Sequence, residues 1–258
     1  MSGDPLKGHD IALLRAGNPG PFTLSGTNTW VVGRDPCWIV DPGPALDDHV
    51  AAILAEVGAR GGAGGIALTH DHADHAEAVP VVAEATGVPV AAHRYEHASR
   101  RLAEGDTFGP LTAVHAPGHA PDHLAFLCGN ACFTGDAVLG EGSVFIAPDP
   151  GALRGYLAAL ERLQGMSLDL LCPGHGPPVA DPEAKLSQYI AHRLDRERRL
   201  VAALDEGLRS TGELLDRVWD DAPAALRPAA TVTLAAHLDK LDEEGRLPGD
   251  VDRPGAAL

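Results

Sequence analysis

The residues in this 258-residue sequence with the clearest chemical potential stand at Thr69-His70-Asp71-His72-Ala73-Asp74-His75. Three imidazoles and the carboxylate of Asp74 fall within six positions there, directly after the apolar run Ile66-Ala67-Leu68. Imidazole and carboxylate are the usual ligands of divalent zinc, and in an extended segment His70 and His72 project to one side, as two ligands of one ion must. Asp74 and His75 are then placed to face a second ion. The competing reading is a solvated polar loop with accidental histidines.

Three later positions repeat one local pattern, a Gly-His or Gly-Asp pair after an apolar run: Pro117-Gly118-His119, Gly135-Asp136 and Pro173-Gly174-His175-Gly176. Glycine beside a ligand lets backbone approach a crowded site closely, and strand ends feeding one edge are where α/β folds gather their chemistry. A lone Gly-His pair is more often a turn than a ligand; an ordered set is specific. The expected division gives His70, His72 and His119 to one zinc and Asp74, His75 and His175 to the other, with Asp136 bridging. Such a pair implies a dinuclear hydrolase. Zinc lowers the pKa of bound water to about 7, and two ions about 4 Å apart hold a bridging hydroxide while polarising the electrophile. Asp74 is the expected catalytic residue, orienting or deprotonating that nucleophile. Two zinc ions per chain are expected, manganese or ferrous iron being compatible with the same donors.

The elements that must position these groups alternate strands and helices. Trp30 to Val32 and Cys37 to Val40 read as strands joined by the Gly33-Arg34-Asp35-Pro36 turn and ending at Asp41, where a turn-capping aspartate is expected. Asp47 to Val57 has helical spacing and stops in a Gly58–Gly65 linker. Ala76 to Thr86 reads as a second helix closed by Gly87, before a strand over Val88 to Ala92. Strands follow at Leu111 to His115, Leu124 to Cys128 and Ala131 to Thr134, then a helix from Gly151 to Leu163 and a last strand from Leu168 to Cys172. Cys37, Cys128, Cys132 and Cys172 sit mainly in apolar runs, as small buried hydrophobes do. Cys128 and Cys132 flank the Gly129-Asn130 turn and are expected as diagonal neighbours across a hairpin.

Beyond Ala180 the composition turns helical, which sets the expected division at 1–180 and 181–258. Leu186, Tyr189, Ile190, Leu194, Leu200, Val201 and Leu204 form an apolar stripe with His192, Arg193, Arg196, Arg198 and Arg199 around it. These arginines read as a solvated face. The functional alternative has Arg193, with Tyr189 and His192, at the cleft mouth holding an anionic substrate. Ser210-Thr211-Gly212-Glu213 fits a capping box for a helix through Trp219, and Arg227 to Glu244 reads as a longer helix ending at Gly245.

Composition narrows the function classes. At 45% hydrophobic the chain buries a sizeable core, and the formal charge of −16 argues against a general polyanion binder. Aromatics at 4% leave little for a base-stacking platform. The opening MSGDPLKGHD lacks the order of a secretory signal and no apolar run has transmembrane length, so a soluble cytoplasmic protein without membrane contact is expected. Oligomeric state is left open by these features.

The H-x-H-x-D-H motif at His70, His72, Asp74 and His75, with His119, Asp136 and His175, resembles the ligand set of the metallo-β-lactamase-fold hydrolases. The wider resemblance is to the β-lactamase-like protein 2 family, and it spans nearly the whole chain. Its blocks are Gly26-Thr27-Asn28-Thr29, His70 to His75, Pro117-Gly118-His119 with Asp122-His123, Phe133 to Gly142, Pro173 to Pro177 and Glu183 to Arg193. The resemblance implies an α/β fold, a four-layer αββα sandwich with a small C-terminal winged-helix-like module. It also implies that Asp41 supports the metal site from behind; His123, in the matching Asp122-His123 block, and His93, after a strand, are candidates either to support the site or to approach substrate. The β-lactamases of classes B1 and B2 carry cysteine where Asp136 stands, which disfavours antibiotic hydrolysis. Flavodiiron proteins carry glutamate where His72 stands, and glyoxalase II ends differently.

Three functions follow from that resemblance. The first is hydrolysis of a thioester or ester, small or carrier-bound; the second is single-strand-specific RNA cleavage; the weakest is a DNA-binding regulator. Between Glu206 and Arg246 nine acids face five bases. Duplex binding needs several phosphate-neutralising cations, so no duplex DNA is expected as partner and the tail is expected to act as a lid on the cleft.

Overall fold

The computed structural model describes residue 6 and residues 8–254; the rest of the opening segment read for a secretory signal lies outside the described residues. Short apolar runs interrupted by glycine- and proline-bearing turns build two mixed sheets. The first holds β1 (Ile11–Arg15), β2 (Asn28–Val32), β3 (Cys37–Val40), β4 (Ala63–Ala67), β5 (Val90–Ala92) and β6 (Arg100–Arg101) in that spatial order, antiparallel through β3 and parallel beyond. The second runs in reverse order from its far edge, β11 (Leu170–Pro173), β10 (Ala131–Gly135), β9 (Leu124–Cys128), β8 (Leu111–His115) and β7 (Thr107–Phe108). Only its β10–β11 pair is parallel, among the described strands.

Alternation along each strand decides the layers, because successive side chains leave a strand on opposite faces. Trp30 and Val32 meet Phe126, Phe133 and Cys172 between the sheets, with the Trp30 and Phe133 rings 6.0 Å apart. Val31, Ile39 and Ile66 turn outward beneath α1 (Asp47–Ala59) and, past the short α2 (Ala73–Ala76), α3 (Val79–Thr86). Ala125, Cys132 and Leu171 turn the other way onto α4 (Ala152–Gln164) and the start of α5 (Pro182–Asp205). The result is the four-layer αββα sandwich that the resemblance implied.

Several boundaries differ from expectation for visible reasons. The glycines read as a linker partly belong to β4: a Cβ at Gly65 would lie 2.5 Å from both Trp38 and Phe108, whose edge-to-face pair needs that space. The single helix expected over Ala76 to Thr86 is two, because the Ala78 N–H donates to the Gly43 carbonyl and Pro80 sits in the first turn of α3. Strands β1, β6 and β7 were not anticipated; β1 is half-buried without alternation and the others are two residues long. The hairpin at Gly129-Asn130 forms, but Cys128 pairs with Ala131, so Cys132 points through the opposite face.

Helix α5 joins two cores. Leu186 and Tyr189 pack with α4, while Leu200, Ala203 and Leu204 pack with α6 (Thr211–Val218) and α7 (Arg227–Glu243). The capping box forms reciprocally between Ser210 and Glu213. Helix α7 is buried around most of its circumference from Ala229 to Leu238, apart from Thr231. It is pinned where Thr233 Oγ1 accepts from the Ile146 N–H (3.2 Å) and Glu243 accepts from the Gly151 N–H (2.8 Å). No described helix is long and apolar enough to cross a membrane. Because Trp30 fills the inter-sheet layer at 1% exposure, Trp30→Ala is expected to cost about 3–5 kcal/mol. Urea unfolding checks this as a lowered midpoint at unchanged slope.

Candidate metal centre

The site is built outward from Asp41. Immediately past β3, Asp41 takes a left-handed backbone (φ 51°), and its N–H donates to the Ala67 carbonyl at 3.0 Å. Its Oδ1 accepts from the Thr69 N–H (2.8 Å), while Oδ2 accepts from the Thr69 hydroxyl (2.7 Å) and from His75 Nδ1 (2.9 Å). Two tautomers follow. His75 must keep a proton on Nδ1, so Nε2 is the nitrogen that a metal can take. The Thr69 hydroxyl donates its hydrogen bond to Asp41, so its oxygen accepts from His70 Nδ1 (3.0 Å), and His70 turns a free Nε2 inward.

His72 caps α2, and Asp74 and His75 lie within that single helical turn, so the ligand segment is half loop and half helix where an extended run was expected. His119 follows β8, Asp136 follows β10 and His175 follows β11, all delivered to one end of the sandwich. His72 Nδ1 stands 3.0 Å from His119 Nε2, and Asp74 Oδ2 stands 3.2 Å from His175 Nε2. Asp136 lies between the groups, with Oδ2 3.6 Å from His119 Nε2 and Oδ1 3.4 and 3.5 Å from His75 and His175 Nε2. The structure thus brings all seven sequence-predicted donors together.

Close backbone packing permits this. Gly135 has φ 47°, and a Cβ there would lie 2.6 Å from Thr69 Oγ1; one at Gly174 would lie 2.5 Å from Asp136 Oδ1. Of the two roles open to His123, substrate contact or support of the site, the structure gives it the second: it is buried beneath the site, where its Nε2 accepts the Asp136 N–H at 3.0 Å and its ring stacks on His70 at 5.0 Å. It positions; it does not face the cleft. His93 lies outside the cleft altogether, donating from Nδ1 to the Leu102 carbonyl (2.9 Å) beside the His115 ring.

Asn28 is a positioning residue whose role sequence reasoning missed. Its amide donates to the carbonyls of Pro173 (2.9 Å) and Gly176 (2.8 Å), and its N–H to that of Gly174 (2.7 Å), so β2 sews down the loop that carries His175. The available signal was an asparagine opening an apolar strand, since a buried amide requires partners.

The donor set fits divalent metal. His70 Nε2 and Asp136 Oδ1 are buried without any hydrogen-bond partner, an arrangement that is costly unless an ion completes it. Donor atoms in three groups, His70–His72–His119, His70–His75–Asp136 and Asp74–His75–His175, lie within 4.8 Å of one another. Burial disfavours a charged His75, but the carboxylates of Asp136 and Asp41 outweigh it and hold the imidazole well above its ordinary value. His175 is raised in the same way to about 9, burial being outweighed by Asp136 and Asp74. Burial, reinforced by neighbouring imidazoles, keeps His70 well below its ordinary value, and burial lowers His119 to about 4 against the pull of Asp136.

A cleft of about 540 Å³ opens from these donors toward the C-terminal helices. Tyr189, His192 and Arg193 line it together with Trp219, Ala229 and Thr233. The solvated-face reading fails for Arg193 and Arg196, which are 2% and 5% exposed. Arg193 is not at the cleft mouth but in its wall, donating to the Val144 carbonyl and lying 5.5 Å over the Tyr156 ring. Arg196 pairs with Asp221 at 2.6 Å, whereas Arg198 is exposed as expected. The Tyr189 hydroxyl accepts from the Leu139 N–H at 3.0 Å.

Two outcomes are expected. Asp41→Asn leaves a poorer acceptor behind His75 and Thr69 and weakens metal binding about 10–100-fold, measurable by competition with a chromophoric chelator. At pH 7 His75 and His175 of the metal-free protein hold protons that metal must displace, so uptake releases protons and affinity rises as pH climbs toward about 9. Titration calorimetry in buffers of different ionisation enthalpy measures that release; heats independent of buffer would contradict it.

Known proteins share this plan. The metallo-beta-lactamase superfamily model matches residues 22–107 and 101–175, and the beta-lactamase associated winged helix domain matches residues 210–248. The beta-lactamase-like protein 2 homolog of Caenorhabditis elegans is 28% identical over 254 residues, covering 91% of this chain and 85% of that one. The atrochrysone carboxyl ACP thioesterase of Aspergillus chevalieri is 35% identical over 210 residues, covering 76% of this chain and 66% of that one. In fold, a beta-lactamase domain protein from Burkholderia ambifaria superposes with a TM-score of 0.78 at 21% identity, over 95% of this chain and 88% of that one. With the family match spanning both sheets, the seven donors and the tail, the chain belongs to the metallo-beta-lactamase superfamily and carries its associated winged-helix domain.

Proposed function

We propose that this superfamily hydrolase holds two divalent metal ions and cleaves thioesters of small-molecule or carrier-bound acyl groups. The observation that carries the reading is the placement of Asp136, one oxygen toward His119 and the other toward His75 and His175. Five imidazoles and two carboxylates suit zinc, while iron or manganese can use the same donors. Bound ions supply Lewis acidity and bring the pKa of water near 7.

The chain's own residues do the rest. Asp74 is 30% exposed, and burial, which would raise its pKa, is outweighed by the His175 hydrogen bond, so it stays ionised. That leaves it able to orient water at the cleft and accept a proton. Thr27 Oγ1 lies 3.5 Å from the same carboxylate and Asp41 holds His75 behind it, so the base keeps its orientation. Supporting a thioester substrate are the similarity to a thioesterase at 35% identity, a cleft wall with Phe22, Leu24, Phe145 and Leu226, and a net charge of −16 that repels RNA. The tail fits a cleft wall better than a reader of duplex DNA, since α7 has little free face to lay in a groove.

The test assays the purified protein against panels of thioesters, esters, lactones and labelled single-stranded RNA, with and without chelator. Chelator-sensitive thioester cleavage is expected, with two ions per chain by metal analysis and with turnover abolished in Asp136→Ala. Cleavage of RNA alone, or a single ion with full activity, would overturn the reading.

A further inference from the structure

The cleft wall contains a guanidinium without an anionic partner. Arg193 is 2% exposed, and among the described residues no carboxylate pairs with it. The nearby acids are engaged elsewhere: Asp221 pairs with Arg196 at 2.6 Å, and Glu197 with Lys240 at 2.8 Å. The Arg193 guanidinium donates to the Val144 carbonyl and lies over Tyr156, yet its Nε–H has no partner. A buried, uncompensated guanidinium is costly, and proteins rarely retain one unless something anionic arrives to meet it.

The preceding residue of the same helix carries a second unused donor. Arginine only donates, so the 3.3 Å contact from Arg196 Nε makes His192 Nε2 an acceptor. Burial, then the charges of Arg193 and Arg196, lowers His192 to about 4, so the ring is neutral and its single proton is on Nδ1. That Nδ1 is buried without a partner, and His192 and Arg193 both line the cleft that also holds metal donors. The same wall includes Leu139, Val144 and Ala230.

Resting on the thioesterase reading above, we propose that Arg193 and His192 form an oxyanion-binding subsite for the distal end of the acyl group, so that the preferred substrates are thioesters whose acyl chain ends in a carboxylate. The thioester lies at the metal donors, the chain follows the apolar wall, and the distal carboxylate meets the Arg193 guanidinium and the His192 ring where these residues line the cleft. A phosphate on the thiol arm offers similar chemistry from the opposite side of the scissile bond, and the substrates below separate the two.

The experiment compares acyl thioesters of matched length ending in carboxylate, carboxamide or methyl, each on N-acetylcysteamine and on phosphopantetheine. The carboxylate series is expected to show a KM about tenfold or more lower on either thiol, the gain a charge-assisted hydrogen bond supplies. In Arg193→Gln the ratio of kcat/KM between carboxylate and methyl substrates is expected to collapse toward one. A preference that follows the phosphate and ignores the acyl end would overturn the proposal. Binding without turnover provides the control: calorimetry of the metal-loaded protein with dicarboxylates from succinate to sebacate against monocarboxylates of equal length. Tighter dicarboxylate binding that is lost in Arg193→Gln but kept in Arg193→Lys is expected, with melting temperature and metal content verifying the fold. Equal binding of the two series by the unsubstituted protein would sink the subsite even if Arg193→Gln does not fold. Retained dicarboxylate preference with no thioester cleaved would instead sink the thioesterase reading alone.

Discussion

The centre depends on one buried carboxylate. Asp41 is 1% exposed, and its burial is tolerable only because the Thr69 N–H, the Thr69 hydroxyl and His75 Nδ1 all donate to it. Those bonds do more than satisfy an anion. They fix a proton on Nδ1 of His75 and, through the Thr69 hydroxyl, of His70, so it is Nε2 of each ring that faces inward for an ion to take. A side chain that touches no substrate thereby decides which atoms are available for chemistry.

The sandwich then supplies convergence. Donors come from loops following β4, β8, β10 and β11, two sheets contributing to one seam, and the seam closes only where backbone lacks side chains, as at Gly135 and Gly174. Asn28 ties the first sheet to the loop of the second by three hydrogen bonds. The inter-sheet layer of Trp30, Phe126 and Phe133 keeps the two sheets in register with each other. Apolar packing sets the coarse geometry, and polar ties at the edge set the fine geometry.

Much of this was legible in the sequence, for identifiable reasons. The seven candidate donors that the structure brings together could be read because metal ligation demands specific residue types at strand ends, and β8 and β9 because apolar runs ended in turn signals. Less legible was whatever depended on distant packing. Gly64 and Gly65 resemble a linker until Trp38 and Phe108 are seen above them. His123 resembles a substrate contact until the Asp136 N–H is seen bonded to it. The arginine face of α5 resembles solvated surface because what covers it is distant in sequence, Val144 and Tyr156 before it for Arg193 and Val218 to Asp221 beyond it for Arg196, and no local pattern announces how a tail folds back.

That fold-back has a consequence of its own. Helix α5 is built into the sandwich at Leu186 and Tyr189 and into the tail at Leu200 and Leu204, and it supplies part of the cleft wall between them. The tail therefore shapes part of the cavity wall while the sandwich supplies every candidate donor. Substitutions on α6, α7 or their connection can reshape what the cavity admits without altering an ion's ligands, so selectivity and reactivity reside in separately adjustable parts of one chain. Changes in the shared helix couple the two.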